Sequence, residues 1–224
     1  VEVGCGWGGF ALFMAQHYGT KVRAYNISHE QIIYARKWAE HKNLSDRVEF
    51  IEDDYRNVSG QFDAFVSIGM LEHVGRGNYQ QLGQLIKQTL KPTGRGLIHS
   101  IGRDSAIPFN PWIARRIFPG AYPPTLKEMV ILFEDSDLSV LDVENLRLHY
   151  AKTLKGWLSR YEENVDEIRR MFDDTFVRAW RLYLAGSKSA FRVGSLQLFQ
   201  ILFTRSGFNE IPATRARIYP SNQK

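Results

Sequence analysis

The first nine residues, Val1-Glu2-Val3-Gly4-Cys5-Gly6-Trp7-Gly8-Gly9, set glycines at alternate positions between a strand end and an amphipathic helix. Glycine lets a backbone turn tightly and approach a ligand closely, and the helix that follows offers unpaired N–H groups. A nucleotide-type ligand is the chemistry this suits. The spacing at Gly4, Gly6 and Gly8 differs from the dinucleotide pattern G-x-G-x-x-G, and the acidic Glu2 stands just before it, a combination that favours S-adenosylmethionine over NAD. The run Ser67-Ile68-Gly69-Met70-Leu71-Glu72-His73-Val74-Gly75 places a carboxylate beyond a strand, where it suits either a helix first turn or a reacting site. His99, inside Leu97-Ile98-His99-Ser100-Ile101-Gly102, reads by itself as a satisfied core histidine, and Tyr150 as a packing tyrosine with its hydroxyl tied to backbone.

These residues need elements to position them. Short β-rich runs at 1–3, 21–26, 48–51, 62–68 and 94–101 alternate with helical patterns at 10–18, 30–41 and 79–90, the last stopped by Lys91-Pro92-Thr93-Gly94. This alternation predicts five parallel strands in a doubly wound α/β sheet. The second strand ends in Tyr25-Asn26, without the Asp or Glu that usually accepts from ribose, so another residue must take that part. Just beyond, Ser28 is placed to cap the next helix, and Gln31 either closes a capping box or reaches the ribose, with capping favoured.

Residues 103–125 hold five of the eight prolines around Trp112-Ile113-Ala114-Arg115-Arg116-Ile117-Phe118 and read as an inserted loop on the ligand side of the sheet. A helix near 126–135, strands at 139–145 and 196–204 and a late extended segment at 215–219 complete the pattern. Between the last two strong strands, Val165, Ile168, Phe172, Phe176, Trp180 and Leu184 recur at helical spacing, predicting one buried stripe.

With 224 residues, 44% hydrophobic and 24% charged, the chain suits a single globular domain and excludes collagen, coiled coil and disorder. No run approaches the roughly 18 to 20 apolar residues of a spanning helix, and no basic start precedes an apolar core and cleavage site, so neither membrane insertion nor secretion is expected. The lone Cys5 excludes an internal disulfide and a multi-cysteine metal site, which points to a reducing cytoplasm and no metal. Residues 151–224 carry 13 Lys/Arg against 7 Asp/Glu, whereas residues 1–150 carry 16 against 17. That basic C-terminal third suits anionic lipid headgroups, nucleic acid, a partner or merely a solvated helix face.

The glycine loop and the segments around Glu72 and His99, with His149-Tyr150-Ala151-Lys152-Thr153-Leu154, Ala190-Phe191-Arg192 and Gln197-Leu198-Phe199-Gln200, resemble the cyclopropane-fatty-acyl-phospholipid synthase family, to which the mycolic acid cyclopropane synthases are related. The resemblance covers nearly the whole chain. It implies a Rossmann-like class I S-adenosylmethionine-dependent methyltransferase fold, with a seven-stranded mostly parallel sheet and a helical insertion. The implied reaction moves the methyl of S-adenosylmethionine to a cis double bond of a phospholipid acyl chain, and loss of a proton closes a cyclopropane ring. It further implies bicarbonate as the base, held by Glu72, His99 and Tyr150 and by backbone near Ile68 and Ile101. Asp54 and Tyr55 would hold adenine, and Ile27 and Gln31 would join Glu2, Gly4, Gly6 and Gly8 around the cofactor.

The partner so implied is unsaturated phospholipid met peripherally at the cytoplasmic membrane surface, and a homodimer is compatible with it. Nucleic acid is not expected, because Ile68-Gly69-Met70-Leu71-Glu72-His73 replaces the Asn/Asp-Pro-Pro-aromatic motif of many base-amine methyltransferases. Family members carry an N-terminal helical segment that supplies a cysteine to the bicarbonate site, and nothing here matches it; Cys5 lies in the glycine loop. The expectation is one methyltransferase domain over 1–224, truncated at its N-terminus, with 103–125 and 150–192 as lid or substrate-binding insertions. Two other functions fit the motifs: N-methylation of a small amine, with Glu72 or His99 as base, and noncatalytic lipid binding by a methyltransferase fold.

Overall fold

The structure is a computed structural model that describes residues 1–134, 136–211 and 214. Strands β1 (Glu2–Val3), β2 (Val22–Asn26), β3 (Val48–Glu52), β4 (Phe62–Ile68) and β5 (Leu90–Arg103) pair in parallel in the order β3-β2-β1-β4-β5. Strand β7 (Leu196–Arg205) runs antiparallel beside β5, and β6 (Leu138–Asn145) closes the sheet antiparallel to β7. The expected seven-stranded, mostly parallel α/β sheet is therefore present. The order reverses between β1 and β4, which opens a crevice at the carboxyl ends of those strands.

Helices α1 (Gly9–Tyr18) and α2 (His29–His41) bury Ala11, Leu12, Ala15, Ile32 and Ala35 against the sheet around Val48 and Phe50. A one-turn helix α3 (Leu71–Val74) follows β4 and leads to α4 (Tyr79–Thr89), whose Leu82 and Ile86 are fully buried. The stop around Pro92 acts as expected, since proline supplies no N–H to prolong a helix. The chain turns extended at Leu90, so β5 is longer than the run 94–101 suggests, reaching from a pairing with Phe62 to Arg103.

The inserted loop contains α5 (Pro111–Arg116), started by Asn110, whose side chain accepts from the Trp112 and Ile113 amides, with Pro111 in the first turn. It rejoins the sheet through a bridge from Arg103 to Thr125 and runs on into α6 (Leu126–Glu134). Residue 135, the last of that expected helix, and the late extended segment 215–219 lie outside the described residues.

The region between β6 and β7 forms α7 (Arg147–Glu163), α8 (Val165–Met171) and α9 (Asp174–Val193), and here the expected stripe is corrected. The helix breaks at Phe172, and Asp173 starts a new one by accepting from the Phe176 amide at 2.6 Å. Of the six stripe residues only Leu184 is buried, and Phe172 is 55% exposed, stacked on Phe176 with ring centroids 4.1 Å apart. The fully buried face is that of Val177, Leu184 and Phe191, packed on Ala151, Leu154 and Leu198, while Val165, Ile168 and Trp180 of the stripe are half-buried against the same cluster. The break rotates the second helix relative to the first, so a single 3.6-residue register could not run through both.

Candidate active site

At the strand-order reversal lies a cleft of about 230 Å³ lined by Gly4, Tyr25, Asn26, Ile27, Asp53, Asp54, Tyr55 and Arg56 on one side, with Met70, His73, Val74 and Asn78 opposite. Of the glycine loop only Gly4 lines it; Gly6 and Gly8 do not. Gly4 and Cys5 donate backbone bonds to the Tyr25 carbonyl, and Gly8 takes a left-handed conformation (φ 85°) before α1 with no side-chain cap on the first-turn amides. A Cβ at Gly8 would lie 2.5 Å from Phe50 Cζ, whereas one at Gly6 would enter open space, leaving room for a ligand against the backbone.

The remaining expected cofactor residues fare differently. Ile27, Asp54 and Tyr55 line the cleft, and Ile27 is 75% exposed at its rim. The Asp54 carboxylate is shared with Arg56, which donates from Nε and Nη2 at 2.8 and 2.6 Å and holds it below the usual carboxylate range. Burial raises the Tyr55 hydroxyl, keeping it protonated.

Gln31 neither lines the cleft nor closes a capping box: its Oε1 accepts from Asn26 Nδ2 at 2.6 Å, and Ser28 makes no side-chain cap. The capping expectation is thus corrected, because the Asn26 amide, which also donates to the Gly6 carbonyl, competes for the Gln31 oxygen. Glu2 is 3% exposed and lies beneath the loop, where burial pushes its carboxyl up to about 7. Cys5 is buried beside it, its thiol pushed up to about 12 mainly by burial, so it is not a nucleophile. Tyr25, Asn26, Asp53 and His73 were not singled out as cofactor residues. Their places at or just beyond the ends of β2, β3 and β4 were the available signal.

The catalytic candidates sit beyond this cleft. Glu72 is buried on α3; its Oε1 accepts from the Ile101 amide at 2.6 Å, and its Oε2 is buried with no partner. Burial raises its pKa, although bonds from the Ile101 amide and the Ser100 side chain oppose the shift. His99 stands in register with Ile68 on β4, its imidazole pKa lowered by burial and its Nδ1 buried without a partner. Tyr150, on α7, packs edge-on against Phe191 at 4.9 Å, and burial followed by the Glu72 charge raises its hydroxyl. The Glu72 charge thus acts on Tyr150, and its carboxylate binds the β5 backbone two residues after His99. The Ile101 N–H is committed to Glu72 and its carbonyl accepts from Ser100 Oγ at 3.1 Å, so neither group of that peptide is free as the resemblance implied, and the Ile68 side chain is 37% exposed.

Tyr150 and Ile101 also line a second cavity, of about 580 Å³, enclosed by the inserted loop and α9 through Phe109, Trp112, Ile113, Phe118, Leu182 and Phe191. His73 of the first cleft touches Phe118 of the second edge-on at 6.3 Å, so α3 is the wall between them. The unpaired Glu72 Oε2 and His99 Nδ1 offer a donor or acceptor to a small polar oxyanion, and in that respect fit bicarbonate. Among the described residues no group of three or more His, Cys, Asp or Glu could hold a metal.

A crevice at the reversal of a 3-2-1-4-5-7-6 sheet, with Gly4 of the glycine loop in its lining, defines a Rossmann-like fold of the methyltransferase type. Solved structures share it: the cyclopropane synthase MmaA2 from Mycobacterium tuberculosis matches with a TM-score of 0.85 at 23% identity, over 91% of this chain and 76% of that one. The mycolic acid cyclopropane synthase CmaA1, complexed with SAH and CTAB, gives the same values. The mycolic acid cyclopropane synthetase family model matches residues 1–201, and the chain belongs to that family. A probable fatty acid methyltransferase of Pseudomonas putida is 36% identical over 98% of this chain and 58% of its own length. The cyclopropane-fatty-acyl-phospholipid synthase of Escherichia coli K12 is 33% identical over 96% and 55%. The chain spans little more than half the length of these curated relatives.

Proposed function

We propose that the protein forms cyclopropane rings on cis-unsaturated acyl chains of phospholipids, using S-adenosylmethionine as methyl donor and bicarbonate as base. The observation that carries the reading is the place of Glu72. It stands on the wall whose Met70, His73 and Val74 line the smaller cleft, and its carboxylate grips Ile101, which lines the larger apolar cavity. The donor supplies an electrophilic methyl carbon and the anion accepts the proton released on ring closure.

The chain's own residues would do the rest. The loop at Gly4 and Gly6 lets the donor lie against the backbone, Tyr55 and Ile27 cover its adenine, and Asp53 and Asp54 accept from its hydroxyl and amino groups. Alkenes are weak nucleophiles with no proton to remove beforehand, so alignment by the apolar cavity supplies much of the rate. The unpartnered Glu72 Oε2 would meet the hydroxyl of the anion, and His99 would orient the anion through Nδ1. The rings of Tyr150 and Phe191 give a π-rich surface to a cationic carbon.

Arg115 and Arg116 are exposed on α5 near exposed Ile107 and Phe118, an arrangement suited to headgroups at the cytoplasmic membrane surface. Among the described residues no helix is long and apolar enough to cross a membrane. The predominantly apolar lining weighs against a small amine as acceptor.

The test is methylene transfer by the full-length protein to vesicles of cis-unsaturated phospholipid. The expected product gains CH₂ and loses its alkene. A CH₃ gain on an amine would move the assignment to N-methylation, and cofactor binding without any transfer would leave a noncatalytic lipid binder.

A further inference from the structure

The apolar cavity contains a charge that ring formation does not use. Arg103, the last residue of β5, lines the cavity and is 5% exposed. A guanidinium carries five N–H donors and no acceptor, yet here Nη1 donates only to the Ile107 carbonyl, while Nε and Nη2 are buried without a partner. The Tyr122 ring centroid lies 4.4 Å from Arg103 Cζ and offers a π face. The acid behind that ring, Glu128, is already occupied by the Tyr122 hydroxyl at 2.9 Å and by Arg76 at 3.2 Å. A buried cation with unmet donors is costly and is relieved by an acceptor. Its cover, residues 104–110, is exposed apart from the half-buried Phe109 and lacks regular structure; its one local backbone bond runs from Ile107 N to Ser105 O.

We propose that Arg103 anchors the acidic oxygen group of the acyl substrate, a carboxylate or phosphate oxygen joined to the alkyl chain in the cavity. That group takes the place of the Ile107 carbonyl and reaches Nε and Nη2 when residues 104–110 shift. The inference rests on the lipid reading of this cavity and adds that substrate charge is read inside it, not only at Arg115 and Arg116. The planar guanidinium fork matches two oxygens of one carboxylate or phosphate. Arg103 lies two strand residues, about 7 Å, beyond Ile101, so an anchored end sets which carbons of the chain meet the Glu72 side of the cavity.

Dissociation constants of oleate, 1-oleoyl lysophosphatidate and oleyl alcohol, measured by fluorescence displacement on the full-length protein, test the anchor. At least one anion is expected to bind about ten- to a hundredfold more tightly than the alcohol. Arg103→Gln abolishes that preference while leaving the affinities for oleyl alcohol and S-adenosylhomocysteine unchanged, and Arg103→Lys restores part of it. Preference for oleate alone assigns the carboxylate of a free acid; preference for lysophosphatidate alone assigns a headgroup phosphate. Equal binding of all three by the wild type, a comparison that needs no variant, overturns the proposal, as does a preference that survives in Arg103→Gln. Methylene transfer is scored separately: charge preference without transfer keeps the anchor and rejects ring formation, and transfer without preference does the reverse.

Discussion

The smaller cleft and the larger apolar cavity are built from chain segments of different kinds. Each wall of the cleft is a short run at a strand end, such as residues 25–27, 53–56 and 70–74, so a few neighbours in sequence make one surface. The cavity gathers residues 101–123, Tyr150 and residues from 182 to 196, brought together only when α7 and α9 pack on β7. Ligand recognition in the first half is thus a property of local motifs. In the second it is a property of packing, and damage to packing should be felt there first.

Leu154→Ala should separate the halves most sharply. Leu154 is fully buried in the α7–α9 core, and its truncation is expected to cost about 2–5 kcal/mol, read as a lower thermal midpoint. Acyl-chain affinity should fall with it while S-adenosylhomocysteine affinity holds; equal loss of both would mean one cooperative unit. Glu72→Gln acts at the shared wall instead. The amide oxygen can still accept from Ile101, so both ligands should bind as before while transfer slows by about a hundred- to a thousandfold. A matching loss of affinity for either ligand would reduce Glu72 to a structural part.

A pH series probes the cleft side. Burial raises the Glu2 carboxyl from 4.5 to about 7, so the folded chain keeps this proton longer than the unfolded one. The stability it provides is complete below about 4.5 and is lost as pH rises through about 7, a change on the order of 3 kcal/mol. Denaturant midpoints for Glu2→Gln should show a flatter slope across that window, and an unaltered slope would place the dependence elsewhere. Tyr55→Ala should have the smallest effect, weakening cofactor affinity by about 1–3 kcal/mol through lost stacking, with acyl affinity unmoved. Calorimetry on both ligands decides it.

The contrast between the halves also explains what could be read in advance. The glycine loop, the βα alternation and the stop at Pro92 are governed by backbone sterics and short-range periodicity, and they stand where the residues indicated. Asp54, Tyr55 and Ile27, which the family resemblance implied, line the cleft. Gln31 did not line it, because the Asn26 amide at the end of β2, five residues earlier, takes its side-chain oxygen. The stripe at 165–184 held only in part, at Val165, Ile168, Trp180 and Leu184: one helix ends at Phe172 and Asp173 caps the next, which resets the register, and which face is then buried depends on α7 and β7.

By itself, the order of residues determined the sheet, the position of the cofactor loop and the family motifs, since steric limits, capping and apolar period act over a few neighbours. Tertiary structure decided that Glu72 meets the Ile101 amide, that Tyr150 and Ile101 share a wall, and that Arg103 is buried with donors unmet. Those contacts join residues 29 or more positions apart or depend on the whole inserted loop folding over the strand end, and desolvation, which raises the Glu72 and Tyr150 pKa values, exists only once that packing is complete.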